Sequence, residues 1–89
     1  MKSKALPAFW KLYRALPNNI REQARRQYRV WSEDPFYPSL HFKRISDREP
    51  VFSIRISLNY RALALKEEDT FFWFWIGSHD EYDRLIKSL

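Results

Sequence analysis

The sequence predicts an α+β fold: two helices, then four antiparallel strands, then a short closing helix. Three observations predict it. Apolar residues recur at three- and four-residue steps as far as Trp31, and at every second residue in most runs after Leu40. The stretch "EDPFYP" divides the two regimes, because two prolines cannot continue a helix. The links "SLN" and "KEED" are short enough only for hairpins, which makes the strands they join antiparallel.

The first helix is read over residues 7–16, where Phe9, Leu12, Tyr13 and Leu16 share one face. "LPNN" ends it. The second helix carries Ile20, Ala24, Tyr28 and Trp31 on one side and a stripe of Arg21, Arg25 and Arg29 on another. Asn19 with Glu22 has the spacing of a capping box at its start. Such a stripe is usually a solvated face.

The four strands are read over residues 40–45, 51–58, 60–66 and 70–76. In the second, Phe52, Ile54, Ile56 and Leu58 point one way and Ser53 and Arg55 the other. In the third, Arg61, Leu63 and Leu65 alternate with Tyr60, Ala62 and Ala64. Ile45 is out of phase in the first, which implies a bulge or an early end. The fourth is apolar on both faces, which places it centrally in the sheet. One sheet face carries the two helices. The other requires cover from the last helix or from a partner protein. Residues 80–89 form that helix, with Ser78 and Glu81 as its capping box.

Eighty-nine residues make one domain, 1–89, and four Trp, five Tyr and seven Phe give it a heavy core. The absence of cysteine excludes disulfides and thiolate chemistry and fits a reducing cytoplasm. Two histidines in no ligand pattern predict no metal site, and a lone glycine excludes a glycine-rich phosphate loop. No cofactor is expected. The longest apolar run, residues 71–76, is too short to span a membrane as a helix. Lys11 and Arg14 interrupt what a signal peptide would need as its apolar region. The net charge of +5 suits a polyanionic partner.

Few residues offer chemistry. His79 starts the last helix beside the end of the central strand, and a histidine there can exchange protons near neutral pH. The alternative is a surface histidine in a turn. Arg55 and Arg61 sit within strands, where a long cation is not a natural sheet former. They suit forked bonds to a phosphate, or an ordinary solvated sheet face. His41, Lys43 and Arg44, interleaved with Phe42, form a candidate nucleic-acid edge. Tyr82, three residues after His79, either faces the same cleft or packs the core.

The words "PSLHFKRI", "FSIRISLNYRALAL" and "FWFWIGSHDEYDRL" resemble the RelE/ParE superfamily of toxin–antitoxin toxins over nearly the whole chain. The resemblance implies a small RelE-like fold, two N-terminal helices packed on a four-stranded antiparallel sheet. It also implies an antitoxin that wraps the toxin. For the RelE branch it implies a metal-independent endoribonuclease acting on mRNA in the ribosome, with the RNA's own 2′-hydroxyl as nucleophile. Arg61 matches the arginine that holds the scissile phosphate, and Arg55 a neighbouring basic position. Lys43 falls near the basic residue of the first strand. His79 and Tyr82 fall near the C-terminal histidine and tyrosine of YoeB- and HigB-like members. On that reading His79 does acid–base work, Arg61 and Arg55 stabilise the transition state, Tyr82 stacks on a base or orients a proton donor, and Lys43 steers the backbone. The ParE branch shares the fold but poisons DNA gyrase without nuclease residues. A third possibility is a non-toxic module that binds the antitoxin.

Overall fold

The computed structural model describes all residues 1–89. Strand β1 (Lys2–Ala5) leads into helix α1 (Pro7–Arg14) and helix α2 (Asn18–Glu33). A 3₁₀ turn (Pro38–Leu40) precedes strands β2 (Lys43–Arg44), β3 (Val51–Ser57), β4 (Tyr60–Glu67) and β5 (Thr70–Ser78). Helix α3 (His79–Ile86) closes the chain. The architecture is α+β, three helices on one sheet.

The sheet has five strands in the order β1-β5-β4-β3-β2, one more than expected. Strands β2 to β5 are antiparallel neighbours, but β1 runs parallel to β5, with Lys2 beside Thr70 and Ala5 beside Trp73. The sheet is therefore mixed. The central placing of the last strand holds, since β5 lies between β1 and β4. The first expected strand shrinks to Lys43–Arg44. Leu40 closes the 3₁₀ turn, and His41 adopts a left-handed conformation (φ 46°) that interrupts extension. The strand ends early, which accounts for the phase of Ile45.

Proline starts both long helices. Pro7 takes the first turn of α1, where its missing N–H costs nothing. Pro17 occupies the N-cap of α2, so the helix begins at Asn18 and Asn19 lies inside it. The capping box expected of Asn19 and Glu22 does not form for that reason. The box at Ser78 and Glu81 does form.

Two apolar layers flank the sheet. On one side Ile20, Ala24 and Trp31 of α2 meet Ile54, Ile56, Ala62, Ala64, Phe71, Trp73 and Ile76. Trp31 is their centre, 2% exposed, with its ring edge-to-face against Phe71 at 5.3 Å and Trp73 at 5.2 Å. Removing such a side chain costs about 3–5 kcal/mol. On the other side α3 lays Tyr82, Leu85 and Ile86 over Val51, Leu63, Leu65, Phe74 and Trp75. The last helix supplies the expected cover. A register shift makes Phe74 the extra residue of β5, between Trp75 opposite Leu63 and Trp73 opposite Ala64. That bulge lets β5 feed both layers.

Candidate functional site

The site forms where the end of β5, the β3–β4 turn and the start of α3 converge. Ser78 accepts the N–H of Glu81 at 3.2 Å, and the Glu81 carboxylate accepts the N–H of Ser78 at 3.3 Å. This reciprocal cap starts α3 at His79. The His79 N–H donates to the Asn59 carbonyl at 2.7 Å, which pins the helix to the β3–β4 turn. The His79 backbone is thus fixed by its own bond to Asn59 and by the cap formed by its neighbours.

His79 Nδ1 lies 3.1 Å from Asp83 Oδ2, and both side chains are about half exposed, at 40% and 50%. This is the only ion-pair contact in the structure. The spacing is one helical turn, so α3 itself sets the geometry. The His79 and Tyr82 rings approach to 5.6 Å. Tyr82 is 5% exposed, and its hydroxyl donates to Ser53 Oγ at 3.3 Å. It packs beneath the histidine, inside the core.

Arg61 stands opposite Arg55 on one side and Gly77 on the other. Its guanidinium Nη1 donates to the carbonyls of Ser57 at 2.7 Å, Tyr60 at 2.9 Å and Leu58 at 3.3 Å. Arg61 therefore clamps the β3–β4 turn with one nitrogen and leaves the others free. Burial, and then the charge of Arg55, push its pKa below the ordinary arginine value, while Tyr82 and Asp83 oppose that shift. All four groups lie close on the α3 face of the sheet. The Arg55 guanidinium has no hydrogen-bond or ion-pair partner.

Register separates the remaining candidates. Lys43 pairs with Ser53 and so shares the face of Arg55 and Arg61. Arg44 pairs with Phe52 on the opposite face and turns its Nε to the Ser46 carbonyl at 2.8 Å. His41 is exposed at the end of the 3₁₀ turn, before the strand begins. The structure brings His79, Tyr82, Arg61, Arg55 and Lys43 to one face and leaves Arg44 and His41 off it. Asp83 is the residue that sequence reasoning missed. Its signal was the four-residue step from His79 in "HDEYD".

Ligand atoms of His79, Asp80 and Asp83 lie within 4.8 Å of one another. They stand at the positive end of α3, where a cation is disfavoured. Asp80 belongs to the acidic first turn of α3, and His79 and Asp83 are in contact one turn apart.

On the other face of the sheet an apolar groove of about 470 Å³ opens between α1, α2 and β1. Phe9, Trp10, Tyr13, Tyr28 and Trp73 line it, and Lys4, Arg25 and Arg29 form its charged lining. Trp10 is 44% exposed there. The arginine stripe of α2 is thereby resolved. Arg21 caps α1 through the Leu16 carbonyl at 2.7 Å, Arg25 reaches the Tyr13 hydroxyl at 2.6 Å, and Arg29 stays open.

A family model described as a ParE-like toxin domain matches residues 18–84. No curated protein matches the chain by sequence. Solved structures match its fold. A chain of the RelB–RelE antitoxin–toxin complex from Methanococcus jannaschii aligns with a TM-score of 0.72 at 20% identity, over 90% of this chain and 95% of that one. The YoeB/ParE toxin from Agrobacterium tumefaciens gives 0.67 at 16%, over 89% and 99%. The isolated RelE toxin of E. coli gives 0.63 at 18%, over 98% and 96%.

Proposed function

The chain belongs to the family of ParE-like toxin domains, within the RelE/ParE toxins of toxin–antitoxin systems, and we propose that it is a metal-independent endoribonuclease that cuts mRNA on the ribosome. One observation carries this reading: the His79–Asp83 pair and two arginines share a single sheet face.

The chemistry follows from those groups. Asp83 Oδ2, 3.1 Å from Nδ1, favours the ring proton there, which leaves Nε2 as the base. Nε2 takes the proton of the RNA 2′-hydroxyl. The 2′-oxygen then bonds to the adjacent phosphorus, and the bond from phosphorus to the 5′-oxygen breaks. The departing 5′-oxygen gains a proton from the imidazolium or from water. Negative charge gathers on the phosphoryl oxygens as this happens. Arg55, and the free nitrogens of Arg61, offset it. Lys43 draws the strand toward the site. Tyr82 acts as a positioning residue beneath the His79 ring. The nucleophile belongs to the substrate, so the reaction asks for no cofactor.

The apolar groove on the opposite face supports an antitoxin partner. Its aromatic floor and basic lining suit an amphipathic segment with acidic residues. A ribosomal target places the working protein in the cytoplasm.

The match to a ParE-like model favours a second reading, a toxin that binds DNA gyrase without cutting RNA. Induction in a bacterium, with mRNA 5′ ends mapped, separates the two. Codon-linked cuts that vanish in His79→Ala support the nuclease. Growth arrest with intact mRNA and damaged DNA refutes it in favour of gyrase.

A further inference from the structure

The β3–β4 turn joins Arg61 to His79 through a short chain of hydrogen bonds. Arg61 Nη1 donates to the carbonyls of Ser57, Leu58 and Tyr60, and the Asn59 carbonyl, set among them, accepts the His79 N–H at 2.7 Å. We infer that Arg61 serves the reaction as a positioning residue, holding His79 through this turn, and that Arg55 is the principal phosphate ligand. The inference rests on the nuclease reading for the reaction, though not for the link between Arg61 and His79. It moves to Arg55 the phosphate that the family resemblance gives to Arg61.

Donor count is the first argument. Nη1 carries two hydrogens, and three carbonyl oxygens already lie within hydrogen-bond distance of it, at 2.7, 2.9 and 3.3 Å. A guanidinium grips a phosphate most firmly with two nitrogens at once. The fork made by Nη1 and Nη2 is therefore closed in Arg61. Arg55, its neighbour across the ladder, has no partner for its guanidinium, and both of its forks are open.

Burial is the second. It is the first cause of the lowered Arg61 pKa, so this head group lies partly out of water. A partly desolvated cation bonded to backbone carbonyls belongs to the fold before any substrate arrives.

Leverage is the third. Leu58 and Asn59 are exposed, so packing does little to hold the turn. The bonds from Arg61 do that instead. His79 is the first residue of α3 and takes its place from the Asn59 carbonyl. Asp83 stands beside both ends of the link, since it contacts His79 Nδ1 and its charge also acts on Arg61. A shift of about 1 Å in a reacting group is enough to cost about a hundredfold in rate.

The test uses the full chain, labelled for NMR, first alone and then with a single-stranded 2′-O-methyl RNA oligomer that cannot be cut. In Arg61→Gln, amide exchange at His79 is expected to rise about tenfold relative to the core amides of β5, and the imidazole nitrogen shifts to move toward those of a free histidine. In Arg55→Gln both should match the parent chain. RNA binding should show the reverse, a loss of about five- to tenfold in Arg55→Gln and of less than about threefold in Arg61→Gln. Asn59→Gly, which loosens the turn and keeps the Arg61 charge, is expected to raise His79 exchange about two- to fivefold. It reads the same link should Arg61→Gln fail to fold. Unchanged exchange and ring shifts at His79 in the folded variants would overturn the inference. So would RNA binding that suffers more in Arg61→Gln than in Arg55→Gln. None of these readings needs cleavage, so a parent chain that leaves mRNA intact refutes the nuclease reading and not the link.

Discussion

Arg55 and Arg61 face each other across the β3–β4 ladder, two like charges in directly paired positions. Such a pair destabilises a sheet, and the pKa of Arg61 is lowered first by burial and then by the charge of Arg55. The lowering means that the folded state disfavours the charged form of this cation. Arg61 serves the free fold by clamping the β3–β4 turn, whereas the Arg55 guanidinium has no partner in the chain. In the proposed nuclease the RNA phosphate is that partner.

Arg55→Gln is therefore expected to stabilise the free protein by about 0.5–1 kcal/mol, a rise in Tm of about 2–8 °C. RNA cleavage should fall by at least tenfold in the same variant. Thermal unfolding and a cleavage assay on one preparation check both halves. A less stable Arg55→Gln protein would show that the opposed charges are neutralised in some other way.

Gly77 lies opposite Arg61, and a Cβ there would sit 2.6 Å from Trp75 Cζ2, 2.9 Å from Cη2 and 3.3 Å from Glu81 Oε1. Trp75 packs in the layer beneath α3 and cannot swing aside freely. Gly77→Ala is expected to cost about 1–3 kcal/mol and to lower Tm by about 5–15 °C. Near-ultraviolet circular dichroism should change with it as the indole shifts. An unaltered melting curve would mean that the ring moves at little cost.

Tyr82→Phe removes one buried hydroxyl and leaves the ring in place. The lost bond to Ser53 is worth about 1 kcal/mol, or roughly 4–8 °C in Tm. Cleavage at a temperature where the variant stays folded should remain within about twofold, because the hydroxyl points into the core and the ring still supports His79. A hundredfold loss of activity would instead assign the hydroxyl a chemical role.

The fold was legible wherever local pattern decided the outcome. Ile54 and Ile56 alternate with Ser53 and Arg55, and the strand follows that alternation. The Ser78–Glu81 box forms because both partners lie within one turn. Strand β1 was not legible. "KSKA" has no apolar alternation of its own and becomes a strand only by pairing with β5. The Asn19 cap failed because Pro17 takes the N-cap and the helix starts two residues sooner. For the site, alternation put Arg55 opposite the apolar residues of its strand and Arg61 on the side of Leu63 and Leu65, and the strand end located His79. The commitment of Arg61 Nη1 to three turn carbonyls depends on the path of the hairpin. The burial of Tyr82 depends on how α3 rolls against Val51 and Leu63. Neither is written in local spacing.

The parallel pairing of β1 with β5 joins Lys2 to Thr70, across most of the chain. Closing so long a loop is entropically unfavourable until the hairpins between them exist. Annealing of β1 should then be the final event of assembly, after the β3–β4–β5 meander. The groove beside α1 comes into being only at that stage, so any protein that recognises it would meet a finished toxin and ignore a half-made one.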